Sequence, residues 1–354
     1  NITLTSDKTN QSLETVRQYG RLMSTMIPST LGSQDMFCHQ GVTRLATGES
    51  GSSGVMLNNQ TSFSLKLMAG LLTSSPVISM GQNGVNGLGF SFELASDQQV
   101  LFGTQAGDNG GCFYTLTDLS LTGDYIIPDP VTQQKMSVPS TGQMPYRSFN
   151  SLYSVINSSD STQTFNLSSS QVLSVFSSFL PVTSSNSYAH DGFETDMLKN
   201  KSGSNYSGDV TLKKVSFSRG GLKIGLDYDI DSQTMSSQGL PETGIMVNAL
   251  NAVQKFSDIT HMSNQPLLVG FGENDPNIFD QGIQAFATVV EGKRNFAVGL
   301  HFDRIANTGV SFKTQSFAQR IQSTADGNSP MASFLFYLTN NVLVYSPQGI
   351  QILS

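Results

Sequence analysis

Apolar and polar residues alternate with a period of two along much of this chain, and the alternation predicts strands. From Leu222 through Ile224, Leu226, Tyr228 and Ile230 every second residue is apolar, with Lys, Gly or Asp between. A strand with one face buried and the other in water carries this signature. Phe296, Val298, Leu300 and Phe302 repeat it, as do Phe63, Leu65 and Leu67, and again Phe90, Phe92 and Leu94. Near the end, apolar runs at 333–338 and 342–345 flank Asn340-Asn341, which predicts two strands joined by a tight turn. Around Leu116, Leu119 and Leu121 the apolar phase slips by one residue, the mark of a β-bulge. Asp108-Asn109-Gly110-Gly111, Asn83-Gly84 and Asp326-Gly327-Asn328 offer residues tolerant of positive φ where the chain must reverse.

Three short helices are expected among these strands. Leu13, Val16, Gly20, Met23 and Ile27 recur at three- and four-residue spacing and share one helical face. Val172, Leu173, Phe176, Phe179 and Leu180 do the same, with Ser168 and Gln171 placed as a capping box and Pro181 as a stop. The third opens at Pro241 and carries Ile245, Ala249, Leu250, Val253 and Phe256. No succession of strand, helix and strand emerges, so the pattern favours a mostly antiparallel sandwich over a parallel sheet. A chain of 354 residues is long enough for two domains. Two prolines end the strand-like run from Asp124 to Pro130, and a polar stretch to Gly142 follows. The expected division is therefore 1–130, a linker at 131–145, and 146–354.

Composition narrows what such a protein does. Charged residues make up only 13% of the chain, so the polar surface must come mainly from Ser, Thr, Asn, Gln and Gly. Such surfaces associate with little desolvation cost, because burying unpaired charge is what chiefly opposes contact. A formal net charge of −7, with no basic cluster beyond Lys213-Lys214, argues against direct binding to nucleic acid. No run approaches the roughly 18 apolar residues of a membrane span, and no signal peptide opens the chain, so a soluble mature protein is expected. Asn1 rather than Met stands first, as it would in a chain that starts inside a longer precursor.

Candidate chemistry is sparse. Cys38 and Cys112 lack the paired spacing of a zinc site and read as buried thiols. His39, His190, His261 and His301 stand apart, and His301 falls on the outward phase of its strand. His190-Asp191 could orient a base, but no Gly-x-Ser-x-Gly elbow supplies a nucleophile. Gly84, Gly87 and Gly89 have the wrong order for a dinucleotide loop, and no GK[ST] exists for a P-loop; they read as turn and bulge glycines. The stretch from Glu273 to Asn277 and the alternating Asp227, Asp229 and Asp231 are rich in oxygen ligands, but they lack the spacing and glycine of an EF-hand and read as solvated acidic faces. Seven Asn-x-Ser/Thr sequons, at Asn1, Asn10, Asn59, Asn157, Asn166, Asn200 and Asn205, match chance in so Ser- and Asn-rich a chain. No catalytic, cofactor or metal residue is assigned.

Three segments together resemble a known family. The first runs from Phe63 to Glu93, through Leu71-Leu72-x-Ser74-Ser75 and a proline, then Tyr114-Thr115-Leu116-Thr117-Asp118-Leu119, into Tyr125-Ile126-Ile127-Pro128-Asp129-Pro130. The second is Ser170 to Leu180, read as a helix. The third is Phe296 to Phe302 with Thr308-Gly309-Val310, completed by the apolar hairpin near the end. The chain resembles the double jelly-roll major capsid proteins of polinton-like viruses, adintoviruses and virophages, which share their architecture with adenovirus hexon. The resemblance implies an all-β fold of two consecutive jelly rolls with short helices in loops. The first segment would close jelly roll one and its linker, the second would enter jelly roll two, and the third would lie late in it. Members are commonly longer, so the first strands of jelly roll one are expected before Asn1, to be shorter, or to come from another segment; otherwise a sheet edge stays open.

The function so implied is assembly without catalysis: a homotrimer of pseudo-hexagonal outline, tiled with neighbouring capsomers and with penton or minor capsid proteins into an icosahedral shell. Two rivals stay open. A glycan-binding or adhesin β-sandwich would share the composition; the absence of Trp weakens it, while ten Tyr keep it possible. A β-sandwich hydrolase would need an acidic pair in a groove.

Overall fold

The computed structural model describes residues 1–7, 9–23, 67, 69–74, 78–80, 86–100, 113–137, 142–167, 171–184, 210, 212–229, 288–290, 293–295, 297–301, 316–346 and 349–353. Strands β1 (Ile2–Ser6), β2 (Ser12–Val16) and β3 (Leu88–Phe92) form an antiparallel sheet in the order β2-β1-β3. Along the chain, short helix α1 (Gly70–Ser74) falls between β2 and β3, and α2 (Asp97–Val100) and α3 (Pro130–Ser137) fall between β3 and the second half.

From Gly142 onward the strands are β4 (Gly142–Ile156), β5 (Asp160–Phe165), β6 (Val172–Pro181), β7 (Leu212–Arg219) and β8 (Leu222–Asp229). They continue with β9 (Thr288–Val290), β10 (Lys293–Asn295), β11 (Ala297–His301), β12 (Phe317–Ser323), β13 (Met331–Ser346) and β14 (Gly349–Leu353). Setting aside the small β9-β10 hairpin and β14, eight strands make two antiparallel sheets. One sheet runs β4-β13-β6-β11 and the other β5-β12-β7-β8. First pairs with last, second with next to last, third with sixth and fourth with fifth, and every passage except β7 to β8 crosses between the sheets. That connectivity is a jelly roll.

Phe165, Phe217 and Phe317 line the inner face of the β5-β12-β7-β8 sheet, with ring centroids 6.4 and 5.6 Å apart. Against them packs the β4-β13-β6-β11 sheet. The opposite face of that sheet is covered as well. Residues 19–23 are helical, and their Leu22 and Met23 join the same core as Phe149, Phe176 and Phe336. The buried Arg21 sits 4.5 Å over the Phe334 ring.

This double covering explains one correction. The segment expected to be an amphipathic helix from Val172 to Leu180 is strand β6, and all ten of its residues are buried. A strand buried on both faces loses its polar-apolar alternation, and Ser174, Ser177 and Ser178 between the apolar residues imitated a helical period. A second correction falls at the start. Leu13 and Val16 lie in β2, not in a helix, and only residues 19–23 of the predicted segment are helical among those described. A third concerns Asn340-Asn341, where no turn forms: β13 runs on for 16 residues. The two asparagines mark where β13 passes from pairing with β6 to pairing with β14. Gln171 fills the gap, its carbonyl accepting from Asn340 N at 3.2 Å and its side-chain oxygen from Asn340 Nδ2 at 3.1 Å. A fourth is the expected bulged strand near Leu116, where residues 113–129 form no strand at all.

Other expectations hold. Strands stand at 88–92, 222–229 and 297–301 as alternation predicted. Residues 63–66 and the predicted helix from Pro241 lie outside the described residues. The polar stretch after Pro130 contains α3, begun by Asp129: its Oδ1 accepts from Val131 N and Thr132 N at 3.0 Å each. Pro130 takes the first helical position, where a missing N–H costs nothing.

Candidate functional site

Few of the residues that could carry chemistry are among those described. Cys38, Cys112, His39, His190, Asp191, His261, Gly84, Asp231 and the acidic stretch 273–277 lie outside the described residues. His301 ends β11 opposite Ser174, and Asp229 pairs across to Lys214 on β7. Gly87, at φ 106°, and Gly89 serve the turn into β3 and its pairing with β1, in keeping with a turn role. Among the described residues no three His, Cys, Asp or Glu side chains could hold a metal, and no helix is long and apolar enough to cross a membrane.

Two polar constructions stand out instead, and both serve connection. Glu14, on β2, is buried to 3% exposure where the N-terminal sheet meets α1 and β4. Its Oε1 accepts from Gly70 N at 3.1 Å and Phe149 N at 2.9 Å, and its Oε2 from Leu71 N at 2.8 Å. One carboxyl thus ties three elements that are far apart in sequence. Burial dominates its titration and pushes its pKa up to about 7, against the opposing pull of those backbone donors and of Ser148. Gly70 is required here, because a Cβ would overlap the Arg147 carbonyl oxygen of β4. Nearby, the Tyr146 hydroxyl donates to the Leu13 carbonyl at 3.0 Å, and burial raises its pKa to about 12.

Strands β4 and β13 are paired from Met331↔Ile156 to Tyr345↔Gly142, long enough to serve two cores. One end lies in the sandwich. The other end contributes Tyr146 and Leu343 to a second cluster with Leu4, Leu13, Ala69, Leu71 and Ile350. The N-terminal sheet is therefore built onto the same two-stranded spine that frames the jelly roll.

The second construction lies inside the sandwich. Gln319 Nε2 donates to Ser177 Oγ at 2.8 Å across the two sheets, and Ser154 Oγ donates to Gln163 Oε1. Gln319 Oε1 and Ser333 Oγ are buried without a partner. This layer was not visible in the sequence, since Ser and Gln in strands ordinarily face water.

The solvent side differs. Phe113, Leu119, Leu121, Tyr125, Ile126 and Ile127 are 60–78% exposed, all on the stretch that precedes α3.

The topology defines a class: jelly-roll β-sandwich proteins. More particularly, the fold is a double jelly roll, similar to PBCV-1 VP54 as fitted into a cryo-EM reconstruction of the virophage Sputnik. That likeness covers 100% of this chain and 82% of that one, with TM-score 0.50 and 9% identity. A quasi-atomic model of the PBCV-1 virus capsid is matched over 64% of this chain and 54% of that one, with TM-score 0.34 and 8% identity. The mavirus major capsid protein is matched over 65% and 44%, with TM-score 0.32 and 9% identity. The matched part spans about half the length of these last two chains. No family model matches the chain, and no curated protein matches it in sequence.

Proposed function

We propose that this chain is a major capsid protein, a structural subunit of the shell of an icosahedral double-stranded DNA virus, located in the virion. The carrying observation is the whole-chain likeness to PBCV-1 VP54. The chain divides into a first jelly roll at 1–130, a linker at 131–145 and a second jelly roll at 146–354. Two sandwiches per subunit, repeated three times about an axis, make a pseudo-hexagonal block, and such blocks tile a closed surface with neighbouring capsomers and minor capsid proteins. The shared β4-β13 spine and the Glu14 junction support this reading, because a tile must keep its parts in fixed relation. Low charge density supports it too, since many weak polar contacts can be summed over neighbours without stranding charge. The role is structural, and the acidic surface leaves contact with the genome to other components.

Light scattering on the purified chain tests the proposal. A particle of three times 38.1 kDa, or larger closed shells, is the expected result. A monomer at every concentration, above all one that binds glycans, overturns it.

A further inference from the structure

Residues 113–128 combine two properties that rarely coexist in a finished surface. Six large apolar side chains, from Phe113 to Ile127, are 60–78% exposed. At about 200 Å² for each large side chain, they offer roughly 800 Å² of apolar surface. The largest patch on an ordinary monomer is about 300–600 Å², and a stable interface takes about 800 Å² from each partner. Meanwhile the backbone of this stretch pairs with nothing: among the described residues, no backbone hydrogen bond involves residues 113–128. The Tyr114 hydroxyl, donating to the Ala95 carbonyl at 2.5 Å, is the side-chain tie at its start. At Gly123 an added Cβ would meet nothing within 4 Å.

An extended stretch with open N–H and C=O groups and bare apolar side chains is suited to lie along another chain's surface or sheet edge. Its charges narrow the partner. The stretch 113–129 carries Asp118, Asp124 and Asp129 and no Lys or Arg, so phosphate backbones and anionic lipid surfaces are repelled. We propose that residues 113–128 are an assembly arm that docks on a second copy of this chain and is buried between subunits. This rests on the self-assembly reading and names the segment through which it acts. The capped helix α3 and strand β4 follow directly, so the arm is anchored at its C-terminal end to the spine of the second jelly roll.

Hydrogen exchange read by mass spectrometry on the unaltered full chain tests the arm, compared across concentrations that favour the oligomer and the monomer. Peptides covering 113–128 should exchange freely in the monomer and at least tenfold more slowly in the oligomer. In parallel, the variant Leu119→Ser/Tyr125→Ser/Ile127→Ser should weaken association at least tenfold. Its circular dichroism should stay unchanged, as should its unfolding midpoint at concentrations where both proteins are monomers, because these side chains lie outside the core. An oligomer whose arm stays unprotected, or a folded variant that associates as the wild type does, overturns the arm and leaves the capsid reading standing. A chain that never associates overturns both. If the variant fails to fold, the exchange measurement on the unaltered chain still decides.

Discussion

Replacing Glu14 by Gln removes one titrating group from the junction between the N-terminal sheet and the second jelly roll. In the folded chain the carboxyl takes up its proton near pH 7, against 4.5 for the free group, because burial penalises the charged form. Between those values the native state binds more protons than the unfolded chain. The stabilisation from proton uptake is therefore full below about pH 4.5, declines as pH rises, and is gone above about pH 7. At ~1.4 kcal/mol per pH unit the shift amounts to about 3 kcal/mol. Gln does not titrate, so the unfolding free energy of wild type minus that of Glu14→Gln should fall by about 3 kcal/mol from acid to neutral pH. Other titrating groups cancel in the difference. A pH-independent offset of about 1–3 kcal/mol comes on top, since Gln presents one acceptor oxygen and an NH₂ group to the donors from Gly70, Leu71 and Phe149. Urea unfolding followed by circular dichroism, at fixed protein concentration and stepped pH, reads both terms. A difference that does not change with pH refutes the reasoning. So does one that grows toward neutral pH, which would mean that three backbone donors outweigh burial and hold the carboxyl ionised.

Three further outcomes follow from the packing. Gly70→Ala drives a methyl group into the Arg147 carbonyl oxygen on a paired strand that cannot retreat, so it should cost about 3 kcal/mol or more, measured by the same unfolding assay. Phe336→Ala empties a fully buried site beside Phe176, whose ring lies 5.1 Å away, and should cost about 3–5 kcal/mol. Ser333→Ala should be neutral or stabilising, because its buried hydroxyl has no partner, whereas Ser177→Ala strands Gln319 Nε2 and should cost about 1–3 kcal/mol; equal effects would contradict the assignment.

How much of this was legible depended on how many faces each element buries. Strand β8 stands at the edge of its sheet, with Leu222 and Lys223 exposed at its start, and its alternation announced it. Strand β6 is sandwiched between the facing sheet and the 19–23 segment, so nothing polar had to alternate, and its serines suggested a helix. Asn340-Asn341 read as a turn because a handover between two strand partners is a tertiary event with no local mark. The cap of α3 is local, Asp129-Pro130 being an N-cap followed by a favoured first helical residue, yet the sequence pattern ended a strand-like run there and predicted a linker. The Glu14 junction was not legible, because a carboxylate in a strand ordinarily faces water and its donors come from residues 56 to 135 positions away. Of the two expected jelly rolls, the second is the one whose eight strands the structure displays.

Electron microscopy of the purified, assembled protein tests the central claim most directly. Class averages should show threefold blocks of pseudo-hexagonal outline, each containing six β-sandwiches, alone or tiled into closed shells. Isolated single subunits at assembly concentrations, or a ring without threefold symmetry, would contradict the account.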